Sequence, residues 1–257
     1  MMDALRSEIM ACATARLVED SDVIFVGTGL PMVATYLAKA LHAPRAVMVF
    51  ESGIVDAHPS ELATGVGDLR LVRDAALHLG MREALGLLQA GRISLGMLGG
   101  AEIDRYGNIN STVIGSYKRP TVRLPGSGGA NDIASMAGRV IIIARHDKRR
   151  FPAELSYLTS PGFLQSRKTR EASPLRGGGP SALITDLGTF GFDEDSGEVV
   201  VRTLHKGVSP QDVLGATGFP IVIPPGVPET DAPSRADLEV LRTRIDPDGI
   251  YIREKQS

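Results

Sequence analysis

The sequence predicts an α/β protein with an open, mostly parallel sheet flanked by helices and an irregular, partly antiparallel C-terminal part. Three observations carry this. Apolar runs of strand length, rich in β-branched residues, fall at 22–26, 45–50, 93–98 and 140–144. Such runs, without polar alternation, belong to strands buried on both faces. A segment of helical length separates the first two, so strand, helix and strand follow one another as in a right-handed β-α-β unit. From Ala182 onward come a short strand, half a hairpin and a proline-rich extended stretch, the marks of antiparallel structure. No internal repeat and no linker interrupts the chain, so residues 1–257 read as a single domain.

Composition narrows the function classes. The 257 residues are 43% hydrophobic with a formal net charge of −2. That is enough apolar material for a large core, and the near-neutral balance gives no electrostatic footprint for nucleic acid. Cys12 is the only cysteine, which excludes an intramolecular disulfide and a cysteine metal cluster. Met1–Glu8 mixes acidic, basic and apolar residues and is not a signal peptide. No apolar run approaches the ~18 residues of a membrane span. A cytoplasmic protein without membrane contact is expected.

Taken in order, Ser7–Glu19 has helical spacing of Ile9, Cys12, Ala13, Leu17 and Val18. Asp22–Val26 is a strand. Gly27-Thr28-Gly29-Leu30-Pro31 leads into a helix from about Met32 to Leu41. Backbone N–H groups at such a loop can hold an anion, although a tight turn alone also explains the glycines. Met32 stands where the dinucleotide fingerprint requires a third glycine, which excludes a nicotinamide site. The second strand, Arg45–Phe50, ends in Glu51-Ser52-Gly53. In open α/β sheets ligands bind at that edge. Glu51 there suits a nucleophile, a general base, a metal ligand or a simple cap. Gly53 permits a sharp turn and the close approach of a substrate. Ile54–Leu71 reads as irregular, with His58 a loop residue, and Asp74–Ala90 as a helix.

Ile93–Leu98 is a strand, and Glu102 and Asp104 follow its end, with no histidine spaced to complete a metal site. Arg105–Asn110 has turn chemistry. The second conspicuous stretch is Arg123–Asp132, in which Gly126-Ser127-Gly128-Gly129-Ala130-Asn131 precedes a short helix, Ile133–Ala137. Backbone donors gathered there suit an oxyanion or a phosphate, but no Gly-Lys-Ser/Thr follows, so it is not a P-loop. Val140–Ala144 is the clearest strand. The basic run from Arg145 to Arg150 reads either as a solvated strand exit or as a phosphate contact. Leu158–Phe163 is a turn, Gln165–Gly179 a flexible surface loop, and Ala182–Thr185 a strand. Gly197–Leu204 is half a hairpin, Pro210–Ala216 a helix, and Ser234–Arg244 a helix capped by Ser234 with Asp237 three residues on. The tail after Pro247 reads as polar and partly mobile.

Four stretches together resemble a known family: Val26–Pro31, Phe50–Gly53, Gly126–Asp132 and His146–Gly162. From about Ala11 to Ile245 the chain resembles the β subunit of a family I CoA-transferase, and it is most similar to the glutaconate CoA-transferase branch. The resemblance implies a reaction in which a glutamate, here Glu51, attacks an acyl-CoA thioester. A mixed anhydride and then a glutamyl-CoA thioester form, and the CoA passes to a second carboxylic acid. It places Gly128 and Gly129, with Ala130, at the oxyanion site, and Gly27 and Gly29 in the loop after the first strand. Ser52, Gly53, Ser127 and Asn131 are substrate-loop candidates. No metal and no cofactor beyond the CoA of the substrate is implied. A separate α subunit is implied as partner, with an αβ pair, doubled, as the assembly. Succinyl-type members carry an asparagine where Phe25 stands, which points away from 3-oxoacid specificity. Arg70, Arg73 and Arg123 are candidates to pair the distal carboxylate of a dicarboxylic acyl group. CoA-thioester decarboxylation and ring-opening hydrolysis are the alternative activities of this fold, and a ligand-binding subunit without turnover is a third reading.

Overall fold

In the computed structural model, which describes residues 4–252, the first helix is α1 (Arg6–Ala15). It is buried over most of its circumference rather than along one stripe. That is possible because its one buried acid, Glu8, is fully paired. Arg242 Nε and Nη2 donate to the two carboxylate oxygens at 2.6 and 2.7 Å, and the N–H of Leu5 adds a third bond.

The chain forms two compact units: one runs to Met97 and resumes at Asp231, and the other is Leu98–Thr230. The first unit contains β1 (Val23–Phe25), α2 (Leu30–Leu41), β2 (Val47–Val49), β3 (Ile54–Val55), β4 (Leu77–His78), α3 (Met81–Gln89) and β5 (Leu95–Leu98). β1 pairs in parallel with β2 and with β5, and β3 and β4 continue beyond β2 in antiparallel sense. The parallel centre is as the apolar runs predict.

The antiparallel addition is not. Ile54–Val55 falls in the stretch read as irregular, and β4 falls in the stretch read as helix. Ala76 and Leu79 donate their N–H groups to the carbonyls of Val55 and Gly53 at 2.9 and 2.8 Å. Strand pairing therefore overrides the helical propensity of residues 74–80, and α3 starts only after Gly80.

The second unit contains β6 (Glu102–Ile103), β7 (Ile109–Asn110), β8 (Val113–Ser116), β9 (Arg119–Arg123), α4 (Ala130–Met136), β10 (Arg139–Ile143) and α5 (Arg167–Glu171). β11 (Pro180–Ile184), β12 (Gly188–Phe192), β13 (Val199–Leu204) and α6 (Pro210–Ala216) complete it. β10 and β11 are parallel; β11, β12 and β13 form an antiparallel meander. β6–β7 and β8–β9 are separate hairpins.

The loop expected at 165–179 instead contains α5, capped by Ser166. Arg170 is buried and donates to the carbonyls of Pro161, Gly162, Ala134 and Gly177. Burial lowers its pKa to about 10. The polar sequence hides this role because the charge is satisfied by carbonyls, which leave no pattern.

In the first unit, α7 (Arg235–Val240) has the Ser234–Asp237 capping box and runs into a π-helical stretch, Leu241–Ile245. Beyond it the chain is tied down as far as Ile252. The Asp246 carboxylate accepts the N–H groups of Ile250, Tyr251 and Ile252. The rest of the tail read as mobile, 253–257, lies outside the described residues, as do the first three of the N-terminal residues. Among the described residues no helix is long and apolar enough to cross a membrane.

His146, in the basic run, faces the core. It stacks on Phe151 at 4.1 Å between ring centres, and its ring nitrogens meet Thr185 and Thr217 hydroxyls at 3.2 and 3.0 Å. Burial pushes its pKa down to about 4, against the opposing pull of Asp186 and Asp147. The folded state therefore holds it neutral while the unfolded chain protonates near 6.5. Its contribution is complete above that value and is lost as pH falls towards 4, roughly 3 kcal/mol in all. His146→Gln should flatten the fall in urea midpoint between pH 7 and 4.5 relative to the unchanged protein. Coincident pH profiles would assign the acid sensitivity to other groups.

Candidate active site

The register of β1 and β2 sets the candidate residues of the first unit. Phe25 lies opposite Val49, and the N–H of Val26 donates to the Val49 carbonyl at 3.0 Å. The C-terminal ends of the two strands are therefore adjacent. Gly27-Thr28-Gly29 leaves one and Phe50-Glu51-Ser52-Gly53 leaves the other. The structure thus brings Gly27 and Gly29 to the same sheet edge as Glu51.

Glu51 occupies the first corner of a tight turn, closed by Gly53 N–H to the Phe50 carbonyl at 2.9 Å. Phe50 is fully buried beneath it. Glu51 is half-buried. Ser52 turns its hydroxyl inward, where among the described residues it has no hydrogen-bond partner. Gly53 has φ +96°, and a Cβ there would stand 2.1 Å from the Leu79 carbonyl oxygen. The close approach it permits is therefore that of the β4–α3 backbone, not of a substrate.

The far end of the β2–β3 hairpin is locked by Asp56, itself at φ +48°. Asp56 pairs with Lys39 of α2 at 2.8 Å, and its N–H donates to Met48. Sequence reading misses both residues, which lie in unremarkable positions. Gly29 caps α2 at φ +93° with no side-chain cap. The helix N-terminus thus presents uncapped backbone donors, apart from Pro31, which has none. The Tyr251 hydroxyl donates to the Ala63 carbonyl at 2.6 Å and also meets the Thr28 side chain.

The candidate residues of the second unit lie in the glycine loop between β9 and α4. Ser111 fastens it on both sides of Gly126: the Gly126 N–H donates to the Ser111 carbonyl, and the Ser111 hydroxyl to the Gly126 carbonyl, each at 2.8 Å. Gly128 has φ +47°. The N–H of Ala130 donates to Ser127 at 2.8 Å. Ala130 is therefore already engaged within the turn, and Gly128 and Gly129 lie between the two fastened points. Gly128 is exposed and Gly129 buried. Asn131 anchors the start of α4 by donating to the Thr159 carbonyl at 2.7 Å.

Beneath this loop lies a buried polar network. The Thr159 hydroxyl accepts the Ser111 N–H and meets the Thr112 hydroxyl. It also reaches Asn110, whose amide donates to Glu102 at 2.7 Å. Ser156 completes Glu102 with its N–H and hydroxyl. Glu102, singled out in the sequence as a carboxylate near a strand end, is thus a scaffold residue. Asp104 holds the following turn through the N–H groups of Tyr106 and Asn108. Burial pushes its carboxyl up. No group of three or more metal-ligating side chains occurs among the described residues.

Residues 7–216 match the family described as Coenzyme A transferase. The chain belongs to that family. It is 42% identical to the B subunit of the 3-oxoadipate CoA-transferase of Pseudomonas knackmussii, over 92% of this chain and 91% of the relative. It is 37% identical to the B subunit of the glutaconate CoA-transferase of Acidaminococcus fermentans, over 96% and 94%. The crystal structure of the latter organism's glutaconate CoA-transferase superposes with a TM-score of 0.90 at 36% identity, covering 97% of this chain and 98% of that one. The decarboxylase AibA/AibB shares the fold, with a TM-score of 0.83 at 24% identity over 97% and 98%.

The arginines considered for a distal carboxylate divide. Arg70 is taken up by Asp68 and Glu61 at 3.3 and 3.6 Å, and Arg73 by Asp74 at 3.5 Å. Arg123 lies over the Tyr117 ring. In the basic run, Asp147 caps a turn through the N–H groups of Arg149 and Arg150, leaving Lys148 and Arg149 in solvent.

The candidate residues of each unit can be probed through their supports in this CoA-transferase family chain. Gly53→Ala forces a Cβ into the Leu79 backbone at a left-handed φ, so it should lower stability by about 3 kcal/mol or more in urea titration. Asn110→Ala removes one of the three donors to Glu102 and one of the partners of Thr159. It should cost about 2 kcal/mol and speed amide exchange at 126–131 while leaving exchange in 47–55 unchanged.

Proposed function

We propose that this chain is the β subunit of a CoA-transferase and that Glu51 is its nucleophile. The observation that carries this is the placement of Glu51. Glu51 is half-buried on a tight turn at the sheet edge, beside the uncapped N-terminus of α2. A nucleophile needs both that access and that fixed position.

A Glu51 oxygen attacks the thioester carbonyl carbon, the carbon–sulfur bond breaks, and CoA leaves as thiolate from a glutamyl–acyl anhydride. The thiolate then attacks the Glu51 carbonyl carbon. The first acid departs as carboxylate and a glutamyl-CoA thioester remains. The carboxylate of the second acid repeats these steps in reverse. Each addition places negative charge on a former carbonyl oxygen, and a fixed backbone donor at that oxygen is typically worth ~3 kcal/mol. We assign this role to Gly128 and Gly129, the glycines left between the two fastened points of their loop.

Both transferase relatives are named as one lettered subunit of a larger enzyme, which supports a second, different subunit as partner. The assembly we propose is an αβ pair, doubled. Both are also named for dicarboxylic acids, which supports a dicarboxylic acyl group. One of them is a 3-oxo acid, so Phe25 does not decide between the two. The chain works in the cytoplasm and uses no cofactor beyond substrate CoA.

The test is mass spectrometry of the co-expressed subunits after exposure to glutaconyl-CoA or 3-oxoadipyl-CoA, with and without borohydride. A CoA adduct on the Glu51 peptide, lost on reduction, is expected. Glu51→Ala should abolish it and lower transfer by about a thousandfold or more. Thioester consumed with release of carbon dioxide or free CoA, and no adduct, would instead assign decarboxylation or hydrolysis. Neither adduct nor consumption would leave a binding role.

A further inference from the structure

Between Asp104 and Asp132 the chain has no acidic residue, although its overall charge is −2. Three of the cations in that interval, Lys118, Arg119 and Arg123, stand exposed on the single hairpin β8–β9. Tyr117, at the hairpin tip, is 57% exposed and Tyr157 38%. Their rings stack with centres 5.4 Å apart and planes 24° from parallel, and the Arg123 guanidinium lies 5.2 Å from the Tyr117 ring centre. Val122 and Leu158 add exposed apolar surface beside them. None of these groups is needed by the core. A flat aromatic face bordered by guanidinium and ammonium groups suits a ligand that is itself a flat ring carrying phosphates.

The hairpin is also tied to the glycine loop. β9 ends at Arg123, and the chain passes directly through Leu124–Gly126 to Gly128. At about 3.3 Å per residue, β9 spans roughly 13 Å from Arg123 to Arg119, a reach of the order of an extended pantetheine arm.

We propose that the β8–β9 hairpin, with Tyr157, is the subsite for the nucleotide end of the CoA substrate. The adenine stacks on the tyrosine pair. Lys118, Arg119 and Arg123 take the 3′-phosphate and the diphosphate, and the pantetheine arm runs along β9 towards Gly128. This rests on the reading of the chain as a CoA-transferase subunit.

Calorimetric titration of the co-expressed complex with CoA and with dephospho-CoA, which lacks the 3′-phosphate, tests it without requiring turnover. The unchanged complex should bind CoA about tenfold tighter than dephospho-CoA. Lys118→Ala with Arg119→Ala should weaken CoA about tenfold and erase the difference between the two ligands. Tyr117→Leu should weaken both ligands equally. All these residues are exposed, so thermal midpoints should not move. Variants that keep full CoA affinity would overturn the subsite while leaving the transferase reading intact. Variants that no longer co-purify with the second subunit would overturn it by making the hairpin a subunit contact. An unchanged complex that binds no CoA would overturn both readings.

Discussion

The turn that carries Glu51 exists because the backbone of Gly53 lies against that of Leu79 and Gly80, closer than any Cβ would allow. This contact fixes three things together. It closes the β2–β3 hairpin, it draws β4 into the sheet, and it sets where α3 begins. The Lys39–Asp56 pair does the same at the opposite end of the hairpin, binding it to α2. The carboxylate thus sits on a loop of a few residues whose two ends are held by backbone packing and a partly buried ion pair. Its position is thus fixed by the fold, which is the order that the role proposed for it requires.

The second unit solves a similar problem with polar chemistry. A loop rich in glycine loses much conformational entropy when fixed, so the ordering must come from outside the loop. Ser111, Thr159 and Asn131 supply it. Behind them the Glu102–Asn110 pair is itself completed by Ser156. Arg170 performs the complementary task with carbonyls, joining α5 to α4 and to the Pro161–Gly162 turn. Several of the buried charged groups therefore position loops and take no part in the chemistry proposed. Charge in the interior is tolerated here because each such group is saturated with hydrogen bonds.

The parallel strands β1, β2, β5 and β10 are legible in the sequence because burial on both faces demands uninterrupted apolar runs. So are α2, α6 and the Ser234–Asp237 cap, where local chemistry and fold agree. Residues 74–80 mislead because their helical pattern yields to pairing with β3, a partner some twenty residues away. The β8–β9 hairpin leaves no clear period, since Lys118, Arg119, Pro120 and Arg123 interrupt the alternation that marks a strand. In the site, Glu51 and the glycines stand out as residue types at strand ends. Asn110, Thr159 and Ser111 do not, because their importance lies in contacts between segments up to 49 residues apart. A single sequence carries no local signature of such contacts. Gly53 shows the right freedom in the sequence but not its actual neighbour.

The fold alone does not choose the reaction. A decarboxylase shares this architecture almost end to end, so the fold is common to more than one chemistry. What separates a transferase from a decarboxylase or hydrolase is whether the protein itself forms a thioester with CoA. That requires a carboxylate able to become an acyl group, which neither a serine hydroxyl nor an ordered water supplies. In this chain the residue at the β2 edge is Glu51, and the hydroxyl beside it, on Ser52, points away into the interior. The arrangement leaves the half-buried Glu51 carboxylate as the reactive group of its turn, and in the reading proposed above it is this choice of group at one position, rather than the scaffold, that favours transfer.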